Sequence, residues 1–433
     1  MITYSSYSLP LKALVTAMGQ AGLPVYKPNR LRIRQELTNE TAEMQHMLDK
    51  AAGYHIKVGS KTVNHFIFND LGLKRPKSYG EKDTVNTATL LTLDASYDME
   101  VLRLISALRT NYKILSTYLS DSKFINMGNN WERFPCDYNI STDTLRLSSR
   151  EAHNGFGGNY QNFPKRKGAH IRDIVKAPHG HVILAMDLSK AEVWTTGIEA
   201  NSQTILDTLK KGIDIHKFNG DKIYSGLPRE LQAKLDTLSQ ERERDMAREL
   251  GKKFAHGIDY GMGINKMVES CQLDLGIPLT IPHATAIKES YLSEVPEIPA
   301  WHESVRLQLY TAGYLTNRYG FYRRCHNALP KFGQRTKDHI FFTYYAWGPQ
   351  STVAIYTNLM LIRCHELGLR AGKEMIAQVH DELIFIVKHE AVKETIEKIQ
   401  QAGSVPIPST DIVIPQDFSI GDEWGSLEEL AMS

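Results

Sequence analysis

The stretch MIAQVHDELIFIV, residues 375–387, decides how this sequence is interpreted. Two apolar runs, MIAQV and LIFIV, are separated only by His380, Asp381 and Glu382, a pattern that predicts a β-hairpin with an acidic turn. Burial of both strands would fix the backbone of that turn. A carboxylate held on a fixed backbone suits the coordination of a metal ion.

A second acidic position has a similar setting. Asp187 follows the apolar run VILAM at 182–186, which is typical of a buried strand, so its carboxylate is expected to emerge at a sheet edge. Magnesium takes oxygen ligands, usually one or two carboxylates, with substrate phosphates completing its shell. Asp187 and Asp381 could therefore hold a pair of ions of the kind used for in-line phosphoryl displacement. Each aspartate taken singly also fits an ordinary turn residue, and their joint position favours the metal site only modestly.

The segment RELGKKFAHGIDYG, residues 248–261, predicts a helix with one polar face. Its polar members at four-residue spacing are Arg248, Lys252, His256 and Tyr260. Two cations, an imidazole and a phenol make a poor hydrophobic seam but a good surface for a nucleoside triphosphate. The alternative is a solvated basic face, in which Asp245 and Glu249 pair with the cations three residues later.

Composition limits the class of protein without naming it. The chain has 433 residues, 42% of them hydrophobic, which is enough for several structural units or one large multi-lobed enzyme. Lys and Arg total 51 against 49 acidic residues, and this balance does not exclude nucleic acid, because binding depends on where the basic residues lie. Each basic run is by itself interpreted as solvated surface. The runs are Lys27–Arg34, Lys74–Lys77, Lys165–Arg172 and Arg318–Arg324.

The four cysteines show no CxxC pairing, so neither a disulfide framework nor a zinc site is indicated. The N-terminus lacks the pattern of a signal peptide, and no apolar stretch approaches a membrane span. We expect an intracellular, cytoplasmic protein without membrane partners.

The remaining secondary structure is predicted coarsely. Helices are expected over 36–53 and 87–119, joined by a basic tip at Lys74–Lys77, and this pair could grip a duplex or form an ordinary helical hairpin. GLPVY at 22–26 indicates a short extended piece, and residues 189–320 are mostly helical in pattern. A further helix is predicted over 349–367, with Pro349 in its first turn.

A scattered polar set could contact the minor-groove acceptors that every base pair presents. Its members are Arg146, Gln161, Asn162, Arg166 and Gln350. Each is a weak signal, since surface Arg and Gln are common. His216 and Glu192, taken alone, would be ordinary helix-surface residues.

In chain order these segments resemble the motifs of the family A DNA polymerases, the group that includes bacterial DNA polymerase I. LAMDLSKAEVW resembles the first palm motif, RELGKKFAHGIDYG the fingers helix and QVHDELIF the palm hairpin. Further matching segments are LRLSS, NYQNFPKR, GIDIHKF, GYLTNRYGFYRR and PQST. The resemblance covers essentially the whole chain.

The resemblance implies roles at the metal site. Asp187 and Asp381 would bind two Mg²⁺ ions, for which Mn²⁺ is a possible substitute. The Leu188 carbonyl would be an extra ligand, and Glu382 would support the site.

It also implies roles toward the nucleotide and the DNA. Arg248, Lys252 and His216 would hold the dNTP triphosphate, and Lys252 could protonate the departing pyrophosphate. Glu192 would exclude a ribose 2′-hydroxyl, and Tyr260 would cap the nascent base pair. The residues expected at the primer–template are Arg146, Gln161, Asn162, Arg166, Gln350 and His380.

The implied fold is α+β, a right-hand arrangement with an antiparallel palm sheet, a helical thumb and helical fingers. The expected borders are 1–30 for an N-terminal palm-associated segment, 31–128 for the thumb, 129–200 for the first part of the palm, 201–340 for the fingers and 341–433 for the second part of the palm.

Some residues depart from the family pattern. His256, counted with the dNTP-binding residues, stands where Phe or Tyr is usual, which leaves sugar discrimination open; Lys190 replaces a Gln, and Asp259 adds a carboxylate. No 3′–5′ exonuclease is expected, and a separate exonuclease or processivity subunit is a possible partner. Two alternatives remain: a single-subunit RNA polymerase, against which Glu192 and Glu382 count, and a non-catalytic DNA-binding or accessory subunit.

Overall fold

The computed structural model describes residues 4–59, 61–75, 85–164, 170–241, 243, 245–272, 277, 279–325, 329 and 339–431. The helices of this part are α1 Leu9–Ala21, α2 Lys27–Ala52, α3 Lys61–His65, α4 Thr87–Tyr97, α5 Glu100–Tyr118, α6 Ala191–Glu199, α7 Gln203–Lys210, α8 Ile215–Ser225, α9 Arg229–Glu241, α10 Met246–Asp259, α11 Ile264–Ser270, α12 Ile281–Glu294, α13 Glu297–Ala312, α14 His339–Glu366 and α15 Val392–Gly403. The strands are β1 Leu23–Tyr26, β2 Ile125–Gly128, β3 Trp131–Phe134, β4 Asp137–Asn139, β5 Ser148–Arg150, β6 His181–Leu188, β7 Tyr314–Thr316, β8 Tyr322–Arg324, β9 Met375–Val379, β10 Glu382–Lys388, β11 Gln416–Gly421 and β12 Glu428–Glu429.

The central sheet has five strands in the order β12-β11-β6-β10-β9, and all its pairings are antiparallel. The predicted acidic hairpin is confirmed as β9 and β10, but Glu382 is the first residue of β10 and the turn is only His380 and Asp381. His380 has a φ of 60°, the left-handed region. The expectation that Asp187 lies at a sheet edge is wrong: β6 is the middle strand and continues through Leu188.

Both faces of this sheet are buried. Leu184, Met186 and Phe385 belong to the largest hydrophobic cluster, which also contains much of α14. Ile183 and Ile384 point the other way into a second cluster with Val25 and Trp424. Alternating residues thus enter opposite cores, which explains why the strand sequences are apolar throughout.

Helices are present in both predicted segments, and α2 packs against α5, but two details differ from the prediction. α2 begins at Lys27 rather than 36, since Pro28 is preorganised for the first helical turn. The single helix predicted over 87–119 is two helices, interrupted at Asp98, which caps α4 in the left-handed conformation that Asp tolerates.

The basic runs contain both buried and exposed residues. Arg30, predicted as solvated surface, is buried, with its Nε 2.6 Å from Glu132 Oε2 at the base of this pair. Of the predicted basic tip, Lys74 and Arg75 are exposed. Pro76 and Lys77 lie outside the described residues.

The position predicted for Pro349 is wrong. α14 begins at least ten residues earlier, at His339, so the proline lies inside the helix. Proline lacks the N–H that would bond the carbonyl four residues back. Tertiary packing maintains the helix: Trp347 and Tyr345 beside the proline are buried, and the Trp347 Nε1 donates to the Asp143 carbonyl at 2.8 Å.

The mostly helical pattern predicted for 189–320 is confirmed by α6 to α13. Within it α8 and α10 cross in close contact through two glycines. A Cβ on Gly251 would lie 2.4 Å from the backbone N of Gly220 and 2.4 Å from the carbonyl oxygen of His216. Only hydrogen at these positions lets α8 approach closely enough to place His216 beside α10.

Gly251→Ala is therefore expected to lower the free energy of unfolding by about 1–3 kcal/mol, because the clash is with backbone and no side chain can rotate away. Urea unfolding measures this. Gly263→Ala is the control, since its added Cβ meets no described atom within 4 Å. Equal stability of the two variants would contradict the close contact.

No helix of the described residues combines the length and apolar character that a membrane crossing requires.

Candidate active site

The acidic strand positions and the cationic helix face one cavity of about 970 Å³. Asp187 and Leu188 of β6, Asp381 of the turn, and Arg248, Lys252 and His256 of α10 all line it. Residues nearly 200 positions apart in the sequence are thus brought together.

Sheet register brings the two aspartates together. Asp187 is the cross-strand partner of Glu382, and Asp381 is the next residue along. Adjacent strands lie about 4.8 Å apart, so Asp187 of β6 lies close to the turn that carries Asp381.

Gln161 fixes the turn that carries Asp381. Its Oε1 accepts the His380 backbone N–H at 2.7 Å, and its Nε2 donates to the Gln378 carbonyl at 2.9 Å. Gln161 is buried. In this structure its amide therefore holds the hairpin that carries Asp381, while its predicted contact with DNA stays a prediction.

The donor atoms fit magnesium. Burial raises the pKa of Asp381 and the Glu192 charge adds to this, while Arg146 and His380 oppose it. A carboxylate whose pKa is raised by burial and by a like charge is stabilised in its ionised form by a nearby cation. The described residues contain no group of three or more His, Cys, Asp or Glu side chains placed to enclose a metal ion.

The sequence interpretation missed Asp417. This residue of β11 is the cross-strand partner of Asp187 and lines the same cavity. Its segment, PQDFSI, carries no acidic turn, and only the strand order β11-β6-β10 puts a third carboxylate beside the other two.

Asp214 joins α8 to the cationic helix. As N-cap of α8 it accepts the backbone N–H of His216 at 3.0 Å, and its other oxygen accepts Arg248 Nε at 2.7 Å. Burial and the charges of Lys252 and Arg248 lower the pKa of His216 to about 4. His216 is therefore neutral near pH 7, and its buried Nδ1 has no hydrogen-bond partner among the described residues.

The alternative of a solvated basic face predicted side-chain pairs that the structure does not form. Asp245 caps α10 by accepting the Arg248 backbone N–H, and the Arg248 side chain pairs with Asp214. Among the described residues no ion pair joins Lys252 to Glu249, and Lys252 is exposed at the wall of the cavity. The α10 face is therefore oriented toward the carboxylates.

The predicted helix ends earlier than 261. α10 stops at Asp259, and Tyr260 is its C-cap, followed by Gly261 with a φ of 87°. The Tyr260 hydroxyl donates to Glu192 Oε2 at 3.0 Å.

Glu192 of α6 is the centre of a network that joins Arg146, just before β5, to His256 of α10. His256 Nε2 lies 3.0 Å from Glu192 Oε2, and Arg146 contacts the other oxygen. Burial would raise the pKa of Glu192, but the His256 hydrogen bond and the charge of Arg146 lower it to about 2. Glu192 is therefore ionised throughout the neutral range.

The other residues predicted at DNA occupy different settings. Asn162 and His380 are exposed, Gln350 of α14 is half-buried, and Arg166 lies outside the described residues.

Asp259 is buried at the end of α10, where the Tyr291 hydroxyl donates to its Oδ1 at 2.8 Å. Burial raises its pKa to about 7, against the opposing Tyr291 hydrogen bond. The folded state therefore binds this proton more tightly than the unfolded state does. The resulting stability is fully present below about pH 4 and is lost as the pH rises to about 7.

Asp259→Asn is expected to unfold at higher urea than wild type at pH 8, by a few kcal/mol at most, and to lose this advantage toward pH 4, because the amide never ionises. Urea midpoints at pH 4, 6 and 8 measure the difference. Parallel pH curves for the two proteins would contradict the buried neutral carboxyl.

The described elements define the right-hand polymerase fold. Its palm is the antiparallel sheet with the acidic turn, its fingers are the helical layer that carries α10, and its thumb is the helical pair α2–α5. A solved structure described as the POL domain of Pol1 from M. smegmatis in complex with DNA primer-template and dNTP superposes with a TM-score of 0.75, at 20% identity, over 97% of this chain and 70% of that one. The predicted α+β fold is confirmed, and the segment borders stay predictions.

The model of DNA polymerase family A matches residues 29–426, and the chain belongs to that family. It is 25% identical to the thermostable DNA polymerase I of Thermus aquaticus over 98% of this chain and 48% of that protein. It is 24% identical to DNA polymerase I of Pseudomonas aeruginosa over 90% of this chain and 40% of that protein. The chain thus spans about half the length of the curated relatives it matches. Family A polymerases use divalent metal ions.

Proposed function

We propose that the chain is a template-directed DNA polymerase that adds dNTPs to a primer 3′-hydroxyl by two-metal phosphoryl transfer. The observation that carries this proposal is the single cavity in which Asp187 and Asp381 face Arg248 and Lys252. Phosphoryl transfer requires mainly positioning and charge stabilisation from a protein. Carboxylates for metal ions and cations for phosphates supply both.

The two aspartates and the Leu188 carbonyl would hold two Mg²⁺ ions, with Mn²⁺ as a possible substitute. Bound there, the metal supplies a lower pKa for the primer 3′-hydroxyl and charge stabilisation on the triphosphate. Glu382 supports the turn from its position opposite Asp187.

Residues of α8 and α10 would bind the triphosphate. Asp214 orients Arg248 while Lys252 remains exposed to the cavity, so Lys252 can both hold a phosphate and donate a proton to departing pyrophosphate. His216, neutral and with an unpartnered Nδ1, can hydrogen-bond the same phosphates. The M. smegmatis structure, which contains dNTP and primer-template, supports these substrates.

Glu192 would act as the steric gate against ribonucleotides, with His256 beside the sugar and Tyr260 next to the nascent base pair. Its carboxylate is fixed by Arg146, His256 and Tyr260 at the wall of the cavity. A fixed, ionised group leaves no room for a 2′-hydroxyl, which favours the DNA polymerase over the RNA polymerase alternative.

Glu192→Ala is expected to raise ribonucleotide incorporation relative to dNTP by about 10- to 100-fold, since it opens space at the sugar. Ratios of kcat/KM for dNTP and rNTP on one template measure this. His256→Phe, which removes one contact to Glu192 but keeps a ring, should shift the ratio less. An unchanged ratio in Glu192→Ala would remove the gate role.

Primer–template DNA would contact Arg146, Gln161, Asn162, Arg166, Gln350 and His380. The lack of exonuclease activity and any separate exonuclease or processivity subunit remain predictions. Loss of nucleotides from a mismatched primer incubated with the pure chain would contradict the first.

Primer extension with Mg²⁺ tests the proposal. Addition of template-complementary dNTPs is expected. Extension with rNTPs alone would favour an RNA polymerase, and DNA binding without extension would favour a non-catalytic subunit.

A further inference from the structure

Arg172 is a buried cation beside the catalytic turn that the mechanism above does not use. It lies in the single helical turn Ile171–Ile174 and is 8% exposed. Its guanidinium carbon lies 4.0 Å from the centre of the Trp424 ring, and its Nη2 donates to the Phe163 carbonyl at 3.3 Å.

The charged partner of Arg172 is Glu382. Arg172 Nη1 lies 3.6 Å from Glu382 Oε2, and both side chains are almost wholly buried. Glu382 is opposite Asp187 and adjacent to Asp381, yet it does not line the cavity that those two aspartates line. Its carboxylate is therefore directed to the guanidinium rather than to the space where metal ions would bind.

Burying Glu382 beside the aspartates would be energetically unfavourable without Arg172. A buried carboxylate without a countercharge is strongly unfavourable, and here it would also stand among Asp187, Asp381 and Asp417. Burial lowers the pKa of Arg172, and the Glu382 charge opposes that shift. A planar guanidinium can stack on an indole and face a carboxylate at once, which a lysine ammonium does not do in the same way.

We propose that Arg172 is a positioning residue that neutralises Glu382, so that the metal site carries only the charge of its cavity-lining aspartates. This inference rests on the proposed function, because it concerns the same metal site. Removing the Arg172 charge and removing the Glu382 charge should then shift the affinity of the site for cations in opposite directions.

The test is Mn²⁺ binding to the purified chain, followed by electron paramagnetic resonance. Arg172→Gln leaves Glu382 uncompensated near the site, and we expect Mn²⁺ to bind roughly three- to tenfold more tightly. Glu382→Gln leaves Arg172 uncompensated, and we expect binding to weaken by a similar factor. The double variant should return to within about twofold of wild type, because it removes one positive and one negative charge and the two opposite shifts cancel.

Other roles give other patterns. If the pair only stabilises the fold, both single variants shift affinity in the same direction or not at all. If Glu382 is itself a metal ligand, the double variant binds as weakly as Glu382→Gln. Either pattern, or no measurable Mn²⁺ binding by wild type, would overturn the proposal.

Arg30→Gln is the matched control, because it removes another buried Arg–Glu pair, with Glu132, that is not part of the cavity lining. It should lower stability without changing Mn²⁺ affinity. If Arg172→Gln does not fold, Arg172→Met keeps an apolar chain on Trp424 without the charge. Parallel primer extension by wild type separates the two proposals: no extension rejects the polymerase, whereas extension without opposite Mn²⁺ shifts rejects only the role of Arg172.

Discussion

Asp187→Asn and Asp381→Asn are each expected to reduce single-nucleotide incorporation by about 10³-fold or more. Each substitution removes a carboxylate from the cavity shared with α10, and a bound metal supplies several kcal/mol of transition-state stabilisation. Rapid-quench measurement of primer extension at saturating dNTP gives the rate. Binding of primer–template, measured by fluorescence anisotropy, should change little.

Asp411→Asn is the matched control for these variants. Its carboxylate is largely exposed and lies 3.5 Å from Lys210, outside the cavity lining, so incorporation should stay near wild type. Near-normal rates in either catalytic variant would reject the metal assignment. Asp417→Asn should be measured together with these variants, because this third carboxylate lines the cavity and the sequence predicted no role for it.

Lys252→Met is expected to lower kcat for incorporation by about 10²- to 10³-fold and to weaken dNTP binding as well. The Lys252 ammonium is exposed to the cavity from α10, where it can hold phosphate and act as a general acid. In other enzymes, general acid catalysis changes the rate by a factor of this size. Single-turnover rates over a range of dNTP concentrations separate the two effects.

Lys252→Arg discriminates charge from proton donation. Arginine keeps the positive charge but gives up its proton far less readily, so nucleotide affinity should largely recover while the maximal rate stays low. Lys266→Met on α11, an exposed lysine that pairs with Glu269, should leave both quantities unchanged. Full activity of Lys252→Met would contradict its assigned position toward the triphosphate.

The sequence predicted the site well where chemistry coincides with local pattern. The hairpin around Asp381 follows from two short apolar runs, and the α10 stripe follows from four-residue spacing. Both patterns depend only on residues close together in the sequence, so they can be recognised without knowledge of the tertiary structure.

What could not be predicted depends on distant partners. Asp417 and Arg172 owe their positions to strand order and to Trp424, and no local pattern marks either. Pro349 inside α14 is tolerated because packing outweighs a lost hydrogen bond. The Gln161 amide holds the turn of β9 and β10, a contact across 219 positions that no local pattern marks, while its contact with DNA remains a prediction.

The central claim is that Asp187 and Asp381 share divalent cations beneath the cationic face of α10. Anomalous scattering from Mn²⁺ in crystals of the chain with primer–template and a non-hydrolysable dNTP tests it directly. We predict two Mn²⁺ peaks contacted by both carboxylates, with the triphosphate against Arg248 and Lys252. Peaks remote from either aspartate, or a triphosphate bound away from α10, would contradict it.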